Sequence, residues 1–173
     1  MTKHNKPSTR PGLETCLDMY EKLQWESQRL ECGWSVYDTF NFVVTVNHLY
    51  VDWIRDCGSQ EAKDKKAALP EFALLVMQAV VDLSNGAKHW QMTKDHSLKN
   101  QVITKAPERG INDWHAYFIS GPMLYVEFGD YKLSMRELRD QVLGYFKWIF
   151  VDGDSDFPKT LQSQFEKCRV CGE

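Results

Sequence analysis

The sequence lacks the features that mark several large classes of protein. Its 173 residues contain no apolar run of the roughly 18–20 residues that a membrane-spanning helix needs. Neither sign of charge dominates, because the chain has 21 Lys and Arg and 24 Asp and Glu, which gives a formal net charge of -3. This balance excludes a uniformly cationic, histone-like binder of polyanions. Residues 1–12 are polar, so we also expect no signal peptide.

Cysteine is too sparse for a disulfide scaffold. There are five, an odd number, in a chain long enough to build a full hydrophobic core. This usage is typical of a reducing compartment, so we expect a cytoplasmic protein. Cys168 and Cys171 have the spacing of half a zinc ribbon, but a closed zinc site needs four ligands. We therefore expect no cofactor, unless a second chain completes a zinc site there; the alternative is a frayed tail with two thiols.

What the sequence does contain is a series of apolar patterns with helical spacing. Hydrophobic residues make up 43% and aromatic residues 13%, which supplies bulky material for a core. The periodicity predicts four long helices and one short final helix. They cover residues 13–30, about 35–56, 70–85, 134–151 and 157–167. Ser134 and Glu137, three residues apart, predict a capping box at the start of the last long helix.

The patterns between these helices differ. Residues 59–69 are strongly charged and predict a connector. Runs at 114–119 and 123–128 have strand character and flank a Ser-Gly-Pro turn, which predicts a β-hairpin. A third short run, 131–133, follows the turn at Gly129.

Together these elements predict a mainly α fold. It is a helical bundle with a small antiparallel β-hairpin insertion, at about 100–133, before the last long helix. We expect residues 1–11 to form a disordered basic arm, 12–167 a single domain, and 168–173 a tail.

Two of the predicted helices each keep one straight polar line on an otherwise apolar surface. Burying a polar side chain without a partner costs about 1–3 kcal/mol, so the lines should face each other or line a cleft. The alternatives are two solvated faces, or an internal network that only fixes helix register. The first line consists of Asn41, Thr45, His48, Asp52 and Arg55, and the second of Gln78, Asp82, Asn85 and His89.

One chemistry that fits the two lines is metal binding. His48 and Asp52 are one helical turn apart, so both point the same way. With Asp82 and His89 they would supply four ligands. The HExxH and Glu-x-x-His motifs of helical metal sites are missing, however.

Two other chemistries concern phosphate. His89 is a candidate general acid or base in phosphodiester cleavage, tuned by Asp82, with a nearby cation to stabilise the developing charge. Alternatively, Asn85, Lys88 and His89 bind a phosphate or nucleotide without reacting with it.

The sequence SNGAKH at residues 84–89 resembles the Arg-Asn-x-x-x-His motif of HEPN domains (higher eukaryote and prokaryote nucleotide-binding). Asn85 and His89 are in register with the motif, at the end of an apolar helix. The resemblance covers residues 13–89 and the last long helix. It implies a bundle that binds RNA or a nucleotide, or a metal-independent ribonuclease with His89 as acid or base.

The motif departs from the HEPN pattern at its first position, where Ser84 replaces the Arg. Lys88 or Arg55 would have to supply the cation, or the domain binds without cleaving. The resemblance further implies a homodimer that works in toxin–antitoxin or phage-defence systems.

The H-x3-D-W stretch at 48–53 and the N-x2-K-H stretch at 85–89 also resemble a group of uncharacterised bacterial proteins, which supports the pairing of the two lines. The competing hypothesis is a helical interaction protein, such as an adaptor, immunity protein or inhibitor, whose polar lines are structural and whose partner is another protein.

Overall fold

The computed structural model describes residues 12–32, 35–88, 103–105, 125–153 and 156–170. Within these residues the chain is mainly helical, with an antiparallel β-hairpin directly before the last long helix, as the sequence predicts. The helices are α1 (Cys16–Cys32), α2 (Val36–Asn47), a π-helix (His48–Trp53), α3 (Ile54–Cys57), α4 (Gln60–Ala67), α5 (Glu71–Lys88), α6 (Met135–Phe150) and α7 (Lys159–Glu166). The strands are β1 (Ile103–Lys105), β2 (Tyr125–Phe128) and β3 (Tyr131–Ser134).

Local signals fix where several of these helices begin. The Ser35 side chain accepts a hydrogen bond from the Asp38 backbone N–H and caps α2. At α6 the predicted capping box is confirmed: Ser134 Oγ accepts from the Glu137 N–H, and the Glu137 carboxylate accepts from the Ser134 N–H. Such caps satisfy the backbone N–H groups that the first turn of a helix leaves unpaired.

The bundle is held by one hydrophobic core whose residues run from Cys16 to Cys168. α2 packs against α1 and α5, and α6 packs against α1, α4 and α5. The largest fully buried side chains are Trp148, Tyr145, Phe42, Phe146 and Phe165. Among the described residues, no single helix is long and apolar enough to cross a membrane; only α4 and α5 together pass that test, and they are bent by 102°.

The three strands form an antiparallel sheet in the order β1-β2-β3. The hairpin that the structure describes turns at Gly129 and Asp130, and Gly129 has the left-handed φ of 54° that favours glycine. The run at 131–133, predicted as a third strand, is therefore the second arm of this hairpin. The predicted strand at 114–119, its Ser-Gly-Pro turn and the basic arm at 1–11 lie outside the described residues.

Two segments differ from what the sequence indicates. The charged segment 59–69 is not a plain connector, because it contains α4, which Ser59 caps by accepting from the Ala62 N–H. The start of the tail is not frayed. Cys168 is buried, its carbonyl accepts from the Lys132 N–H at 2.9 Å, and the Val170 N–H donates to the Asp130 carbonyl. The chain after α7 thus pairs with β3 through backbone hydrogen bonds.

Candidate functional site

A π-helix interrupts the second predicted helix at its polar line. The Ile54 N–H donates to the carbonyl of Leu49, five residues earlier, where an α-helix would use a residue four earlier. Leu49 and Ile54 are both fully buried, so both flanks of this wider turn are anchored in the core. Single π turns inside α-helices are rare and are frequently found at functional sites. The π-helix of this protein contains His48, Tyr50 and Asp52.

The structure brings together three residues of the first polar line, which we call the His48 cluster: His48, Asp52 and Arg55. His48 Nδ1 lies 3.2 Å from Asp52 Oδ2, and Arg55 Nη2 donates to Asp52 Oδ1 at 3.2 Å. Arg55 Nε also donates to Asp56, and this bond together with the Asp56 charge raises the pKa of Arg55. All three side chains of the cluster are at least two-fifths exposed, so a ligand can reach them.

The remainder of the first polar line is placed differently. Asn41 is exposed, whereas Thr45 is buried and its Oγ1 accepts a hydrogen bond from Lys22 Nζ. Lys22 also forms an ion pair with Glu26, one turn along α1. Along the first polar line, Asn41 is therefore exposed, Thr45 is buried in a polar contact with α1, and the His48 cluster is again exposed.

A pocket of about 490 Å³ lies beside the His48 cluster and shares Arg55 with it. Its cations are Arg55, Lys63 and Lys66, and its aromatic wall is Tyr50. We call it the basic pocket; its other lining residues are Ile54, Ala67 and Leu74. Cationic groups beside an apolar and aromatic surface suit a ligand that carries both an anion and a flat ring.

Lys66 is the cation of the basic pocket whose surroundings lower its pKa. Its Nζ donates to the Tyr50 carbonyl and lies 4.3 Å from the centre of the Tyr50 ring. Burial and, secondarily, the charge of Arg55 lower the pKa of Lys66, while Asp52 opposes them weakly. Among the described residues, the hydrogen-bond and ring partners of Lys66 are thus uncharged groups of Tyr50. An anion in the pocket would give the Lys66 ammonium a charged hydrogen-bond partner.

The second polar line faces inward. Asp82 is buried and accepts a hydrogen bond from Gln78 Nε2 at 3.0 Å. Asn85 is partly buried, and Ser84, which replaces the motif Arg, is fully buried. No hydrogen-bond partner for Ser84 Oγ is found in the described part of the chain.

The end of the motif is described only in part. Lys88 is the last residue of α5, and nothing is described of its side chain; His89 lies outside the described residues. Their proposed roles remain predictions. Across residues 12–32, 35–88, 103–105, 125–153 and 156–170, no three His, Cys, Asp or Glu side chains form a group that could hold a metal ion.

Cys168 is placed unfavourably for zinc. Burial, with the charge of Glu137 and a hydrogen bond to it, raises the pKa of the Cys168 thiol to about 11. Zinc is bound by thiolate, so this environment opposes metal binding. Cys171 lies outside the described residues.

Sequence reasoning missed three residues of the basic pocket: Tyr50, Lys63 and Lys66. Tyr50 lies among the apolar residues of its helix, and both lysines lie in the segment 59–69 that the sequence predicts as a connector. A usable signal existed, because the spacing of three between the lysines places them on one face of any helix. Ser59, four residues before Lys63, is also a good helix N-cap.

Comparison of the chain with protein-family models, with curated proteins and with solved structures found no match.

Proposed function

We propose that this protein is an RNA- or nucleotide-binding domain of the HEPN-like type, and that its basic pocket holds a phosphate group. The observation that carries the proposal is the set of three cations around one aromatic wall, in which Lys66 donates its described hydrogen bond to the neutral carbonyl of Tyr50. A phosphate accepts charge-assisted hydrogen bonds from such cations, and a base can stack on a tyrosine ring.

An RNA strand is favoured over a mononucleotide as the ligand if the HEPN-like motif at the end of α5 also contacts it. The basic pocket touches α5 at Leu74, whereas Asn85 lies eleven residues further on. At a rise of about 1.5 Å per residue, the two points are about 16 Å apart along the helix. A single nucleotide can occupy only one of these two positions, whereas an RNA strand can reach both.

Binding is better supported than cleavage. Ser84 cannot stabilise a charged phosphate, because it is a neutral side chain buried in the core. Of the two substitute cations, Arg55 is already engaged by Asp52 and Asp56, and nothing is described of the Lys88 side chain. If cleavage occurs, we propose His89 as acid or base, Asn85 as the group that orients it, and His48 with Asp52 as the second pair.

The binding test uses a fluorescently labelled single-stranded RNA and measures anisotropy at several salt concentrations. Lys66→Met and Lys63→Met should each weaken binding about tenfold and reduce the salt slope by about 0.7. Lys159→Met is the matched control, because Lys159 is an exposed lysine at the start of α7, away from the pocket lining. Equal weakening by all three variants would indicate non-specific attraction and contradict the proposal.

Competition separates the ligand classes. Unlabelled RNA and a mononucleotide are added in turn to the labelled complex. Displacement by RNA at far lower concentration than by mononucleotide is expected for a strand-binding surface. Displacement by the mononucleotide alone would restrict the site to free nucleotides.

Cleavage is tested on the same RNA, with the products separated on a denaturing gel. His89→Ala and His48→Ala should abolish product formation while RNA affinity is kept, and added chelator should change nothing. Cleavage that persists in both variants would rule out the two histidines as catalytic residues. Binding without cleavage in the wild type would assign a binding role only.

A second candidate, a helical interaction protein, is favoured by exposed aromatic residues at the start of the bundle. Tyr37 is 82% exposed and Trp25 56% exposed, and Arg29 lies over the Trp25 ring while pairing with Asp38. Under this hypothesis, His48→Ala lowers thermal stability without altering RNA binding. Sedimentation of the wild type and of Tyr37→Ser tests whether this face joins two copies of the chain.

A further inference from the structure

Cys16 and Cys57 lie side by side although 41 residues separate them in the sequence. Their Sγ atoms are 3.3 Å apart, and both are thiols. Each Sγ also donates to the carbonyl of Trp53, at 3.2 Å from Cys16 and 3.3 Å from Cys57. One backbone oxygen therefore holds both sulfur atoms in a fixed arrangement.

The two thiols differ in access to solvent. Cys57 is exposed and is the last residue of α3, whereas Cys16 is buried and is the first residue of α1. Both stand at helix ends, where the backbone can adjust without breaking a turn. A disulfide bond is about 2.05 Å long, so closure requires the sulfur atoms to approach by roughly 1.3 Å.

We propose that Cys16 and Cys57 form a reversible disulfide, with Cys57 as the attacking thiol and Cys16 as the resolving thiol. The oxidant is a low-molecular-weight disulfide such as oxidised glutathione. The Cys57 thiolate attacks one sulfur of the oxidant, forms a mixed disulfide and expels one thiolate. Cys16 then attacks Cys57 Sγ, forms the internal bond and expels the second thiolate. The two protons that the cysteines lose end on the two small thiols.

Closure would tie the first turn of α1 to the end of α3. Arg55, which belongs to both the His48 cluster and the basic pocket, lies only two residues before Cys57. The bond would close a long loop, and such cross-links stabilise chiefly by restricting the unfolded chain. We expect the oxidised protein to melt about 5–10 °C above the reduced protein.

The test treats the purified full chain with oxidised glutathione, blocks the remaining thiols with iodoacetamide and maps the peptides by mass spectrometry. The expected result is a Cys16–Cys57 cross-linked peptide with loss of two hydrogens, which dithiothreitol reverses. Cys57→Ser should abolish the cross-link. Cys16→Ser should stop the reaction at the mixed disulfide on Cys57.

Cys168→Ser is the matched control, because Cys168 is a buried thiol outside the pair, and this variant should form the cross-link as the wild type does. Melting temperature, measured on the same samples, must rise on oxidation in the wild type and in Cys168→Ser only. A wild type that keeps one glutathione on Cys57, or that pairs other cysteines, would overturn the proposal. Because the readout needs no ligand, the outcome is independent of RNA binding.

Discussion

Lys65 provides the sharpest test of how this fold is held together. It is a lysine in a charged helix, yet its side chain is only 9% exposed. Its Nζ donates to the carbonyl of Trp148 at 3.1 Å and to that of Asp152 at 2.6 Å. The Trp148 carbonyl belongs to the last turn of α6, where a helix leaves its C=O groups unpaired, and Asp152 lies two residues beyond the end of the helix. A lysine from α4 thus caps α6, with the sign of charge that the helix dipole favours.

The perturbation is Lys65→Met, which keeps most of the apolar stem and removes the ammonium group. A hydrogen bond to a charged group contributes about 1.5–3 kcal/mol, and the substitution removes two. The ammonium no longer has to be desolvated, which offsets part of the loss. We therefore expect a decrease of about 2–4 kcal/mol in the free energy of unfolding, or roughly 5–15 °C in melting temperature.

The assay is equilibrium unfolding in urea, followed by circular dichroism. Two controls isolate the capping bonds. Glu61→Gln removes the ion-pair partner of Lys65, but the Glu61 side chain is 69% exposed, so the change should stay within about 0.5 kcal/mol. Lys159→Met, at an exposed position, should be equally mild. A Lys65→Met variant as stable as these controls, with an unchanged urea slope, would refute the capping role.

Three further predictions concern single side chains. Lys66 must be protonated to attract an anion, and binding of an anion should raise its lowered pKa. RNA affinity should therefore be full below the pKa that Lys66 has in the free protein, and should be lost as pH rises through the pKa that Lys66 has in the complex. Anisotropy titrations from neutral to alkaline pH measure this loss, which Lys66→Met should abolish. Ser134→Ala removes the capping box of α6 and should lower the free energy of unfolding by about 1 kcal/mol in urea titrations, whereas a change below the error would deny the cap any role. Ser84→Ala deletes a buried hydroxyl in α5 and should raise stability by about 0.5 kcal/mol, since alanine is the better helix former; a loss of stability would reveal a partner for Ser84 Oγ.

The long helices could be predicted from the sequence because their signals are local. Apolar residues recur at helical spacing in α1, α2, α5 and α6, and Ser134 with Glu137 marks a helix start without any tertiary information. The contact between His48 and Asp52 is equally local, because residues four apart share a helix face.

What could not be predicted depends on tertiary packing. α4 has almost no apolar residues, and its inner face consists of Ala62 and the stem of Lys65, which no hydrophobicity pattern distinguishes from a solvated lysine. The π-helix likewise depends on how Leu49 and Ile54 fit the core. The basic pocket combines both features, since α4 supplies Lys63 and Lys66 and the π-helix supplies Tyr50. The hydrophobic pattern of the sequence therefore gives no indication of it, although the spacing of the two lysines does place them on one helix face.

The burial of Ser84 determines how the HEPN hypothesis can be tested. Restoring the motif with Ser84→Arg would place a guanidinium at a position with no exposure, and an unpaired buried charge costs several kcal/mol. Loss of activity in that variant would report an unfolded bundle rather than a missing catalytic group. A cation that acts on phosphate has to come from a solvent-facing surface, and Lys63, Lys66 and Arg55 border such a surface. Charge removal at these positions, with folding monitored in each variant, is therefore the informative experiment.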